Sequence, residues 1–159
     1  MPLKKVDWRR IDETEIEVWL GETSSTDEDI QNHGIGALSA YLTPWDAYEP
    51  YYYDSAGLLA MVKREAILLV IPYLIELLND YTITNKVGIL DMLYNFTWYS
   101  DLEDRISDSD IADYRFHAHR IYNIVYMGLE VYKRLLEHEQ ESVRQEARVL
   151  WEKLRYNKN

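Results

Sequence analysis

The stretch ESVRQEARVLWEKL, Glu141 to Leu154, decides how the chain is read. Val143, Ala147, Leu150, Trp151 and Leu154 recur at three- and four-residue steps, so they share one side of a helix. Ser142 followed by Gln145 has the spacing of a capping box, which predicts a helix opening at Ser142. The polar tail RYNKN closes it.

Upstream, GLEVYKRLLEHEQ supplies a shorter helix and a polar turn. The same order stands earlier, in IPYLIELLNDYTITNKVGILDMLYNF, Ile71 to Phe96. In both segments a helix ends in Leu-Leu and two polar residues, a polar turn follows, and the next helix begins with a basic residue beside valine. That pair is Lys86-Val87 in one and Val143-Arg144 in the other. One hairpin cannot bury its apolar face alone, so repeated hairpins imply one continuous core. Val143, Arg144, Ala147 and Leu150 fall where HEAT-like (armadillo-like) repeats tend to place such residues. The chain from Leu58 to Leu154 resembles that family. VKREAILLVIPYLIELL looks like the family's hairpin joint, with Pro72 opening a second helix. The resemblance implies a binding scaffold. The 55 N-terminal residues do not match it, and the link from Trp98 to Asp110 reads as an insertion.

Elsewhere the chain is also helical in pattern. Ser25 or Thr26 caps a helix whose first turn carries Asp27, Glu28 and Asp29, suited to the positive end of its dipole. Its stripe is Ile30, Ile35, Leu38 and Leu42, weakened by Gly34 and Gly36 and stopped by Pro44. Asp54 or Ser55 caps the next helix, with Leu58, Met61, Val62, Ala66 and Leu69 in register. Val87, Leu90, Leu93, Tyr94 and Phe96 or Thr97 mark another helix, ahead of a polar link. A long pattern then runs from Ile111 to His138, through Tyr114, Ala118, Ile121, Val125, Leu129, Tyr132 and Leu136, with Gly128 as its divider. Residues 1–24 read as a short helix or an extended arm ending at Gly21. No strand or hairpin signal appears. The expectation is an all-α single domain (1–159) of about six helices in stacked antiparallel hairpins, a HEAT-like α-solenoid fragment. Residues 1–55 form an acidic, irregular N-terminal region with one helix, and residues 56–156 form the hairpins.

Composition narrows the function. The 159 residues are 47% hydrophobic, enough for a core, and include no cysteine, which removes disulfide and thiolate chemistry. MPLKKVDWRRIDETE holds no apolar signal-peptide core, and AILLVIPYLIELL is too short to span a bilayer, so a cytoplasmic protein is expected. A net charge of −11 disfavours nucleic acid and anionic membranes and favours a basic protein partner. The charge is uneven: between Asp7 and Asp54 the acids are opposed only by Arg9 and Arg10.

No reaction is named by the motifs. His117 and His119 point about 200° apart on a helix and cannot chelate one ion together. HExxH, GxSxG and a lysine-bearing phosphate loop are missing; HGIGALS lacks the lysine and the strand. Asp108, Asp110 and Asp113 lack the spacing of a calcium loop, and capping by Asp108 or Ser109 explains them better. No metal, no cofactor and no catalytic residue is therefore expected.

The aromatics divide in two. Tyr41, Tyr73, Tyr94, Tyr122 and Tyr132 lie on helical stripes and read as core, hydroxyls toward the surface. Trp45, Tyr48, Tyr51, Tyr52 and Tyr53 crowd a loop with Asp46, Glu49 and Asp54. Tyrosine and tryptophan are enriched at interface hot spots, so this loop is the first choice for a partner surface. Trp98, Asp101, Glu103 and Asp104 form a second. The small, acidic, tyrosine-rich profile looks like that of bacterial immunity proteins, which neutralise a cognate toxin, often a basic nuclease. A non-catalytic inhibitor is the leading expectation. A helical-repeat adaptor is the alternative, and an enzyme with a pocket between helices is third.

Overall fold

The computed structural model describes residues 14–43, 61–105 and 111–156. They form seven α-helices and no strand: α1 Thr14–Thr23, α2 Glu28–Leu42, α3 Met61–Leu78, α4 Lys86–Phe96, α5 Ile111–Tyr126, α6 Leu129–Leu135 and α7 Glu141–Tyr156. A 3-10 segment, Thr97–Arg105, follows α4 directly. The all-α expectation holds. The seventh helix comes from α1, which the sequence left undecided between helix and arm. Its Ile16 and Leu20 are fully buried, one turn apart.

Local chemistry sets the helix ends. Asp27, not Ser25 or Thr26, caps α2: its Oδ1 accepts the N–H groups of Asp29 and Ile30 at 3.0 and 3.2 Å. Ser25 acts one step earlier, its hydroxyl accepting the Asp27 N–H. Gly34 is a packing residue: a β-carbon there would lie 2.6 Å from the Trp19 carbonyl and from the Thr23 nitrogen, so its bareness lets α1 and α2 close. Thr43 ends α2 in extended backbone, as a residue before proline prefers. At α4, the Asn85 side chain accepts the Gly88 N–H at 2.9 Å. The last helix opens at Glu141, one residue before Ser142, and Gln145 donates to the Glu141 carboxylate.

Pro72 does not open a new helix; α3 runs through it. A mid-helix proline sacrifices one hydrogen bond and crowds the carbonyl four residues back, about 3 kcal/mol. Against that, Ala66, Ile67, Val70 and Ile71 before it and Tyr73, Leu74, Leu77 and Leu78 after it are all buried. Their burial holds the helix through the proline, whose ring faces solvent. The break between helices comes instead at the turn 79–85, between α3 and α4. Gly128 does divide the last long pattern, and the Tyr132 ring lies where a Gly128 side chain would be.

The helices share one core. α1 packs on α2, α3 on α4 and α5, and α6 on α7; α4 also meets α2, α5 and α7. Ile35, Leu38 and Leu42 line the buried side of α2 as expected, whereas Ile30 and Leu69 are exposed. The link after α4 is structured through Arg105, because Tyr99 is buried there. Its hydroxyl donates to the Leu42 carbonyl at 2.6 Å, while its own carbonyl accepts the Tyr114 hydroxyl at 2.7 Å. The core tyrosines depart from expectation in one respect. Tyr122 and Tyr132 turn their hydroxyls inward, onto the Leu154 and Val125 carbonyls at 3.1 and 2.8 Å. Each O–H thereby satisfies a helix carbonyl and itself.

Candidate functional site

Three places on the described surface have the makings of a site. The first is the acidic pair α1–α2. Glu15, Glu17, Glu22, Asp27, Glu28 and Asp29 belong to residues 14–43, which hold no lysine or arginine. Glu22 is taken up by His33, whose Nδ1–H donates to its carboxylate at 2.6 Å and so fastens α1 to α2. The other five acids are exposed, as are Val18 (59%) and Ile30 (46%). By contrast α6 and α7 with their turn carry both signs: Lys133, Arg134, Arg144, Arg148, Lys153 and Arg155 against Glu130, Glu137, Glu139, Glu141, Glu146 and Glu152.

The second place surrounds Lys153. Its ammonium lies 4.9 Å from the Tyr94 ring centre, 5.4 Å from that of Trp98, and 2.7 Å from Asp101 Oδ2. Tyr94 and Trp98 meet edge to face at 6.3 Å. The rings supply negative faces to the cation and the carboxylate completes its shell. Trp98 and Asp101, expected as contact residues, are thus brought together, but around a lysine of the same chain. This cluster seals α7 against α4 and the 3-10 segment. Glu103 and Asp104 sit in the same segment, with side chains outside the described residues.

The third place was not foreseen. A cavity of about 480 Å³ opens between the α3–α4 turn and the end of α6 with the α6–α7 turn. Leu78, Ile83, Val131 and Leu135 give it apolar walls; Lys86, Arg134 and His138 give it nitrogen donors. Lys86 Nζ donates to the Leu78 and Asp80 carbonyls at 3.0 and 2.6 Å. Burial pushes the Lys86 ammonium below the usual lysine range, with Asp80 opposing that shift. Two hydrogen bonds from Thr82, through its hydroxyl and its N–H, hold the Asp80 carboxyl below its ordinary value. Arg134 donates to Asn79 Oδ1 at 3.1 Å. The Leu-Leu-polar-polar endings quoted above carried a signal for this place, since they mark where two turns expose backbone carbonyls to basic residues.

Trp45, Asp46, Tyr48, Glu49, Tyr51, Tyr52, Tyr53 and Asp54 lie outside the described residues, as do Asp108 and Asp110. Among the described residues no three histidines, aspartates or glutamates gather as a metal-ligand set, and no helix is long and apolar enough to cross a membrane. Comparison with protein-family models, with curated proteins and with solved structures returns no match.

Proposed function

We propose that this chain is a non-catalytic binding module that captures a basic protein, acting as an inhibitor in the manner of immunity proteins. The observation that carries the reading is the segregation of charge. One end helix pair is acidic without a single lysine or arginine, and the other is balanced. Such a field steers a basic protein to one end of the molecule and accelerates its encounter. Val18 and Ile30, exposed among the acids, offer apolar contacts once the partner has arrived.

A HEAT-like scaffold agrees with this role. Helices α2, α4 and α7 follow one another through direct packing, each with a partner helix or helices behind it. The second helix of two pairs begins with a basic side chain folded back on the preceding turn. Lys86 reaches the Leu78 and Asp80 carbonyls, and Arg144 Nη1 reaches those of His138 and Glu139 at 2.6 and 2.9 Å. That shared device supports the reading of the two segments as repeats of one design.

The test is capture from extracts of the source cell with the tagged full chain, followed by kinetics on the captured protein. A basic partner is expected, released between about 50 mM and about 500 mM salt as the Debye length shrinks. Reversing Glu15, Glu28 and Asp29 to lysine is expected to lower the association rate about tenfold or more with little change in helicity. An unchanged association rate, or an acidic partner, refutes the proposal.

A further inference from the structure

The geometry points to the cavity between the α3–α4 and α6–α7 turns as a binding site for a carboxylate carried on an apolar body. This is independent of the acidic pair, on different helices. Its volume of about 480 Å³ falls within the range of small-ligand pockets.

Two cations meet at one short piece of chain. Lys86 bonds to the carbonyls of residues 78 and 80, and Arg134 bonds to the side chain of residue 79, between them. Neither cation has a carboxylate partner at ion-pair distance among the described residues. Lys86 has committed two of its three protons, and Arg134 one of five. The lysine is 7% exposed, so its position is fixed by the fold. His138 adds a further donor: its Nδ1 accepts the Gln140 N–H at 3.1 Å, which leaves Nε2–H to face a ligand. A guanidinium fork suits a planar carboxylate, and the buried ammonium nearby adds charge without adding flexibility. Leu78, Ile83, Val131 and Leu135 provide the apolar wall that an uncharged remainder of the ligand needs. Glu139 also lines the cavity, so a doubly charged anion is disfavoured and a single carboxylate is the better fit.

Such a carboxylate comes from a small organic acid or from the C-terminus of a polypeptide. The probes are N-acetyl-leucine, its amide, and a tetrapeptide ending in leucine with a free or amidated terminus. Each is titrated to about 10 mM into the isotopically labelled full chain, with amide NMR shifts as the readout. Saturable shifts confined to residues 79–86 and 134–140 are expected with the free acids and not with the amides. If only the free tetrapeptide saturates, the source is a polypeptide terminus; if N-acetyl-leucine does so too, small acids qualify. Arg134→Gln is expected to weaken binding about tenfold, and Arg134→Lys by less. Both substitutions are at an exposed position, and matching melting curves verify the fold. Equal binding of acid and amide, full affinity in Arg134→Gln, or no saturable shift with either free acid overturns the proposal.

Discussion

Gln31 is the side chain on which the junction of the first two helix pairs should depend most. It is fully buried. Its amide donates to the Ser25 carbonyl at 2.8 Å, and its Oε1 accepts the Asn85 N–H at 2.8 Å and the Thr84 hydroxyl at 3.3 Å. One residue of α2 thus ties its own turn to the turn before α4. Gln31→Leu keeps most of the volume and removes all three bonds. Two backbone groups lose their partners; both belong to residues only partly buried, so each is charged near the low end of the range for unmet groups, about 1 kcal/mol. With the Thr84 contact included the expected loss is about 2–3 kcal/mol, a fall in Tm of roughly 4–12 °C for a chain of this length. Urea unfolding followed by helical circular dichroism measures it. Gln31→Glu gives a second reading. An ionised carboxylate opposes the Ser25 carbonyl, whereas a protonated one donates to it. The folded-state pKa of that glutamate is therefore raised above its unfolded value. Its stabilising share is present at acid pH and lost as pH rises through the folded pKa, so the deficit relative to wild type at each pH should widen from pH about 4 to about 7. A loss below about 0.5 kcal/mol for Gln31→Leu, or a pH-independent deficit for Gln31→Glu, refutes the account.

Other expectations concern the core and the Lys153 cluster. Gly34→Ala drives a β-carbon into the backbone of α1 and should cost about 1–3 kcal/mol by calorimetry, with the acidic pair parting first in hydrogen exchange. Burial raises the phenol pKa of Tyr99 and Tyr132 well above the ordinary tyrosine value. Above pH about 10 the unfolded chain therefore releases protons that the folded chain keeps, and stability falls with rising pH, by up to about 1.4 kcal/mol per pH unit per tyrosine. Tyr132→Phe should flatten that alkaline slope in denaturation series. Lys153→Met removes a cation from two rings and one carboxylate and should cost about 1 kcal/mol, with a change in tryptophan emission reporting the loosened Trp98.

Much of the helical architecture was legible because apolar spacing reports burial directly. Ala147, Leu150 and Leu154, and likewise Leu90, Leu93 and Phe96, are buried where periodicity put them. Pro72 was misleading because its rule is local. The sequence shows the lost hydrogen bond but not the two buried half-helices that outweigh it. Asp27 displaced Ser25 as the cap for a similar reason: both have the right chemistry, and only backbone geometry decides whose oxygen reaches the free N–H groups. Trp98 and Asp101 were legible as neighbours, yet the lysine that occupies them is 52 residues away in sequence from Asp101. The cavity itself was not foreseen: the two Leu-Leu endings mark the turns that border it, but Lys86 and Arg134 acquire a common neighbourhood only when those distant turns meet.

The polar groups of these turns do a different job from the stripes. Apolar stripes supply most of the driving force, but a stripe of leucines tolerates sliding by a turn. Gln31 does not, because its two ends must meet a carbonyl of one turn and an N–H of the next. Asn32 and Asn85 add a side-chain bond across the same junction at 2.6 Å, and Arg134 of α6 donates to Asn79 at the other end of the α3–α4 turn. The α3–α4 turn is thus held from both sides by residues of other helix pairs. Its own Asn85 is at once the cap of α4 and a partner of α2. The start of α4 is consequently not a local matter. Displacing α2 costs that helix part of its N-terminal hydrogen bonding as well as apolar cover, which binds the pairs into one cooperative unit.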